Sequence, residues 1–135
     1  MHWTRFLLAV IVSGLGASIT DWLFMGVLFH NKYLETPETW RGKPGQPEVT
    51  NVVASTAIGF VSCAAFLYLC YWTGALAVHN ASLRMAVLAW LVAPLPLIVT
   101  NALWIKMNPL LALSHSLGWL ARFVVTALAA GWLLH

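Results

Sequence analysis

Hydrophobic positions run along this chain in four long blocks separated by polar breaks. Phe6 to Phe29 is apolar apart from Asp21 and a few small polar residues. Val49 to Leu83 carries no charge at all. Met85 to Ile105 is again uncharged, fenced by Arg84 and Lys106, and Leu110 to Leu134 contains a single charge, Arg122. A helix needs about 20 apolar residues to cross a bilayer, with a range of about 17–25, and each block meets that length. The second block is longer than required, which places its spanning part near 52–76 or tilts the helix. Backbone amides in hydrocarbon must be paired internally, so the choice lies between helices and a closed barrel. Barrel strands alternate in polarity every second residue, and the apolar run from Met85 to Val99 does not. The pattern predicts an all-α fold, a four-helix transmembrane bundle forming a single integral membrane domain over 1–135. The spans fall near 6–29, 52–76, 85–105 and 110–134.

The connections refine that bundle. The second, near His79 to Arg84, and the third, near Lys106 to Pro109, are short, which makes neighbouring helices antiparallel. The first is a polar loop over 30–50 that holds Pro37, Pro44 and Pro47. Within it, Thr36-Pro37-Glu38 suits a helix start, with Thr36 as cap and Pro37 in the first helical position. A short surface helix carrying Trp40 follows from that reading. Pro94 and Pro96 each remove an amide donor and crowd the carbonyl four residues back, so the third helix should be kinked. Arg5 followed by an apolar run and Gly16-Ala17-Ser18 imitates a secretion signal. The apolar run resumes to Phe29, beyond an h-region of about 7–15 residues, so the segment reads as a span.

Composition agrees with lipid as the main solvent. Charged residues make up 8% of the 135 and hydrophobic residues 61%. An ordinary soluble domain carries about 25% charged residues. A cytosolic enzyme, a disordered tail and a secreted disulfide scaffold are all excluded. The formal net charge of +3 comes from scattered Lys and Arg, with no basic run for a nucleic acid to meet. Membrane lipids are the expected partners, together with a second copy of the chain or a larger membrane protein. Cys63 and Cys70 both lie in the uncharged second block and read as packing residues.

With an even number of spans, both termini fall on one side, here called side A. Arg5 and Arg84 lie on side A, while Lys32, Arg41, Lys43 and Lys106 lie on the opposite side B. The positive-inside rule then makes side B cytoplasmic. Trp3, Trp72, Trp90 and Trp132 all fall near side A, where an aromatic belt would sit.

The candidate chemistry is sparse. Asp21 is the only acid inside a span and Arg122 the only base. Intramembrane charges cost about 2.5–3.5 kcal/mol on insertion scales, face the bundle or water, and often have partners. Asp21 lies about 12 Å below side B and Arg122 about 18 Å, at a rise of about 1.5 Å per residue. An arginine side chain covers the difference, so the pair is geometrically allowed. Asn101 on the third span and His115 on the fourth approach the same depth. His115, Trp119 and Arg122 share one helix face, with Gly118 beside them to permit close approach. Gly14, Ser18, Asp21 and Met25 form a comparable stripe on the first span, and Asn51 could join the rim from the second. Asp21, Asn101, His115, Trp119 and Arg122 are therefore the candidate ligand or proton site. Ile19 to Phe24 also echoes Val99 to Trp104, which would make Asp21 and Asn101 equivalent in a duplicated hairpin. No catalytic set is evident, and no haem, zinc or other metal-binding spacing occurs. The chain is expected to lack a cofactor and, on balance, an enzymatic activity.

The stretch Asp21 to Phe29, followed by Tyr33 and by Pro37-Glu38-Thr39-Trp40-Arg41, resembles the start of the bacterial domain-of-unknown-function family 1761. The resemblance covers the first 41 residues, and beyond them only span count and length. It implies a small multi-pass protein of the bacterial inner membrane and supplies no activity. Span count and Asp21 also resemble the small multidrug exporters, in which a first-span acid couples transport to protons. Against that stand the long 30–50 loop and the Asp in place of that family's Glu. Three functions follow as expectations. The first is a polar intramembrane site around Asp21 that binds a small molecule or lipid. The others are a proton-coupled small-molecule transporter and a structural subunit of a larger membrane complex.

Overall fold

The computed structural model describes residues 2–39 and 49–134. It is all-helical, with no strand among the described residues. Helix α1 covers Trp3–Asp21 and continues as a π-helical segment, Trp22–Leu28. A short helix α2 follows at His30–Leu34, then α3 at Val49–Trp72, α4 at Ala81–Val92, α5 at Pro94–Trp104 and α6 at Pro109–Leu133. Four helices are long and apolar enough to cross a membrane: Trp3–Leu28, Val49–Trp72, Ala81–Trp104 and Pro109–Leu133. The chain is thus a multi-pass membrane protein by length and composition.

Helix ends follow local chemistry. The second span stops at Trp72, short of position 76, because Gly74 takes a left-handed conformation, φ 72°. The third span is interrupted at Ala93, φ −122° and ψ −69°, directly before Pro94. The amide of Leu97 still bonds the Ala93 carbonyl at 3.2 Å, so the helix resumes at once. Asn108 caps α6, its side-chain oxygen accepting from the Leu110 amide at 2.9 Å, with Pro109 in the first position.

The first connection differs from the expectation. Helix α2 was not anticipated there, and Pro37–Thr39 forms only a 3₁₀ turn. Thr36 donates its hydroxyl to the Lys32 carbonyl at 3.3 Å, closing α2 from behind. Trp40 and the stretch 41–48 lie outside the described residues.

Packing is that of a membrane bundle, with small residues inside and large aliphatic ones outside. On α1, Ala9, Ser13, Gly14 and Ala17 are buried, while Ile11, Leu15 and Ile19 line the opposite, exposed face. Lipid tails are as apolar as leucine, so helices gain little by burying bulk and more by approaching closely through small residues. A Cβ at Gly14 would stand 2.4 Å from the Phe60 ring of α3, which shows how close that approach is. Helix α6 is the hub and packs against the other three spans. Its inward face is again small, with Ser114, Ser116, Gly118, Ala127 and Ala130 buried.

The ends are arranged as expected. Phe6 and Ala9 of α1 pack with Leu67 of α3 and with Ala130 of α6. The start of α1 therefore meets the ends of α3 and α6, and α1 runs antiparallel to both. His2, Arg5, Tyr71, Gly74 and Leu134 border one cavity at this end, which places the two ends of the described chain together. Cys63 and Cys70 are fully buried and unbridged. Trp3, Trp72 and Trp132 are exposed near this end. Trp90 is not: its indole reaches across to α6 and donates to the Ser116 carbonyl at 3.0 Å. Trp90 is partly buried, and a tryptophan N–H turned away from water needs such an acceptor, which draws Trp90 from belt to bundle.

Candidate functional site

Asp21 and Arg122 form an ion pair, Arg122 Nη2 donating to Asp21 Oδ2. The two residues lie 101 positions apart in the chain and join the first span to the fourth. Arg122 is 8% exposed. Both partners are flanked by glycines. A Cβ at Gly118 would meet Asp21 Oδ1 at 3.3 Å, and a Cβ at Gly59 would meet Arg122 Nη2 at 3.5 Å. The guanidinium is also layered against the Trp119 ring, its carbon 4.4 Å from the ring centre. Among the described residues, Arg122 Nε is a buried donor without an acceptor.

This pair lines a cavity of about 590 Å³ built by three spans. The first span supplies Ser18, Asp21, Trp22, Met25 and Gly26. The second supplies Val52, Ser55, Thr56 and Ile58, and the fourth His115, Trp119 and Arg122. Trp22, Val52 and Ile58 are exposed, so the rim lies on the flank of the bundle that faces lipid. The π-helical segment begins one residue after Asp21. Its wider turn sets the Trp22 ring over Gly26, where a Cβ would stand 3.1 Å from Cδ1. π-helical segments are rare and occur frequently at functional sites.

One wall is tied to the side-B connection. Tyr33 of α2 donates its hydroxyl to Ser114 Oγ at 3.3 Å and lies 3.3 Å from His115 Nε2. The two rings meet edge-on, centres 5.9 Å apart. Burial pushes the Tyr33 phenol above its usual range, the Ser114 bond lowers it less, and the nearby Asp21 charge raises it. The first connection thereby reaches into the bundle and steadies the histidine that borders the cavity.

Four of the five candidate residues come together: Asp21, His115, Trp119 and Arg122 all line the cavity. Asn101 does not; it sits on α5 outside that lining. The two segments of the internal echo also differ in form, since Trp22–Leu28 is π-helical and Pro94–Trp104 is α-helical. Asn51 is exposed at the start of α3 and is not part of the lining either. Gly59, Ser55, Thr56, Trp22 and Tyr33 belong to the site and its support without having been singled out as site residues. The spacing Ser55, Gly59, Cys63 carried the signal, a small-residue stripe of the kind read on the first span. No group of His, Cys, Asp or Glu among the described residues could hold a metal ion.

Comparison with protein-family models, with curated proteins and with solved structures finds no match for this chain.

Proposed function

We propose that the protein binds a small amphiphilic molecule, taken up sideways from the lipid, in the cavity around Asp21 and Arg122. The observation that carries this reading is the pairing of a partly buried ion pair with an adjoining cavity of about 590 Å³. Small-molecule sites are mostly apolar clefts of about 300–1,000 Å³ with a few placed polar groups. Trp22, Met25, Val52 and Ile58 offer apolar surface, and the pair with His115, Ser55 and Thr56 offers a polar end. An ion pair needed only for packing has no use for such a space beside it.

A proton-coupled exporter is the second reading, supported by an acid in the first span that lines the cavity. Arg122 already pairs with that acid, so a cationic substrate would have to displace it, and the geometry favours the binding reading. A subunit role would be recognised by co-purification with a larger membrane protein. The resemblance to family 1761 supports placement in a bacterial inner membrane, and the excess of Lys and Arg on side B supports side B towards the cytoplasm.

The test uses the protein in nanodiscs and Thr56→Trp, which fills the cavity from the second span. Native mass spectrometry should retain an amphiphile on the wild type and not on Thr56→Trp. Equal retention by both would refute the reading.

A further inference from the structure

We infer that the amphiphile is a carboxylic acid, its carboxyl held by Arg122, with one proton shared between the ligand carboxyl and Asp21. This inference rests on the reading above and names the chemistry of the ligand's head.

The argument begins with the unequal chemistry of the two partners. Arginine keeps its proton in proteins, so Arg122 is a permanent cation. A carboxylate can take up a proton, so Asp21 is the member of the pair able to change charge. A cationic ligand would pair with Asp21 and leave Arg122 as an uncompensated charge, with nothing able to neutralise it. An anionic ligand would pair with Arg122, and the surplus negative charge is removed by one proton. Two carboxyls on one guanidinium then behave as a coupled pair with a single shared proton. The site stays neutral throughout.

Two further observations point the same way. Arg122 Nε is a buried donor without an acceptor among the described residues, and a guanidinium is built to be held along two edges at once. Buried unsatisfied donors in native structures call for an explanation, a missing ligand or water among them. Depth is the second. Arg122 stands thirteen residues into α6 from Pro109, about 20 Å along the axis. A phosphate head carries its charge permanently and stays at the interface. A weak acid can cross that depth as the neutral form and bring its own proton. On arrival the acid O–H becomes the shared proton, and Asp21 Oδ2 gives up part of its hold on Arg122 Nη2.

The titratable groups around Asp21 are few. Span four presents Arg122 and His115, α2 presents Tyr33, and the lining contributed by α3 has no titratable side chain. His115 is therefore the alternative proton acceptor that a test must separate from Asp21.

The experiment is titration calorimetry on the whole protein in nanodiscs, with empty nanodiscs subtracted and buffers of different ionisation enthalpy. Octanoate, octanol and octyl phosphate serve as probes. Octanoate should bind wild type with uptake of one proton, its affinity rising about tenfold per unit as pH falls from about 8 to about 6. Asp21→Asn should bind octanoate without proton uptake and without that pH dependence. Octanol should bind more weakly, with no proton. Octanoate binding without proton uptake by wild type overturns the inference, and this measurement needs no variant to fold. Uptake that persists in Asp21→Asn assigns the proton to His115 and overturns the role of Asp21. Octyl phosphate binding as well as octanoate would make the head a lipid phosphate and overturn the carboxylate. If octanol and octanoate bind alike, and Thr56→Trp abolishes both, the binding reading stands and the inference falls. If no probe separates wild type from Thr56→Trp, the binding reading itself falls.

Discussion

Gly59 of the second span faces the guanidinium of Arg122, and a Cβ placed there would stand 3.6 Å from Cζ. That is ordinary van der Waals contact, so Gly59→Ala should be accepted. Alanine is also the better helix former by about 1 kcal/mol. Gly14 is the contrast, since its Cβ would stand 2.4 Å from the Phe60 ring. Gly14→Ala should push α1 and α3 apart and cost about 1–3 kcal/mol. Unfolding in mixed micelles checks both. A Gly59→Ala variant less stable than Gly14→Ala would show that the glycine contacts have been misjudged.

The ion pair predicts a pattern of coupled losses. Breaking a buried pair by removing one member costs about 3–5 kcal/mol, because the other charge is left without compensation. Arg122 is the buried member and Asp21 is only partly buried, so Asp21→Leu should show a loss towards the lower end of that range and Asp21→Asn a smaller one. Asp21→Leu combined with Arg122→Leu should recover part of it, since no charge then remains in the span. A double-mutant cycle on equilibrium unfolding gives the coupling directly. Additive single effects would mean that the two side chains do not depend on each other.

Much of this was legible in the sequence, for identifiable reasons. Four uncharged blocks of spanning length leave one architecture, because unpaired backbone groups cannot sit in hydrocarbon. Asp21 and Arg122 could be paired because each was alone of its kind and an arginine side chain covers the difference in their depths. Gly118 was readable as a place of close approach. The orientation of α5 was not. A helix that is apolar all round shows no face, and the break at Ala93 resets the rotation, so Asn101 could not be aimed. The π-helical turn at Trp22–Leu28 has no composition that marks it. Tyr33 lay hidden in a connection read as loop, because its partners Ser114 and His115 are more than 80 residues away.

Topology gives a third expectation. His2 and Thr73 lie at the end of the bundle where the described chain begins and ends, while Glu35 belongs to the opposite connection. Single cysteines at the first two positions should react with an impermeant maleimide from one side, and a cysteine at Glu35 from the other. Native Cys63 and Cys70 are buried and should not compete. With side B cytoplasmic, labelling of whole cells should reach His2→Cys and Thr73→Cys only. If those two positions label from opposite sides, the antiparallel arrangement of the first two spans is wrong.

The fourth expectation concerns Tyr33 and alkaline pH. Its hydroxyl bonds Ser114 and contacts His115, so Tyr33→Phe removes an acceptor's partner inside the bundle. A typical hydrogen bond contributes about 0.5–1.5 kcal/mol, and the loss at neutral pH should fall in that range. Burial raises the Tyr33 phenol above its usual value, the Ser114 bond lowers it by less, and the Asp21 charge adds a smaller rise. The folded state therefore prefers the protonated phenol. Its stabilising contribution is complete below the unfolded pKa of about 10 and is lost as pH rises through the higher folded value. Wild type and Tyr33→Phe should differ by a constant amount from about pH 7 to about pH 9, and the gap should close above about pH 10. Unfolding curves for the two proteins across that range provide the measurement. A gap that widens with alkaline pH would mean that the phenolate, rather than the phenol, is the form the bundle holds.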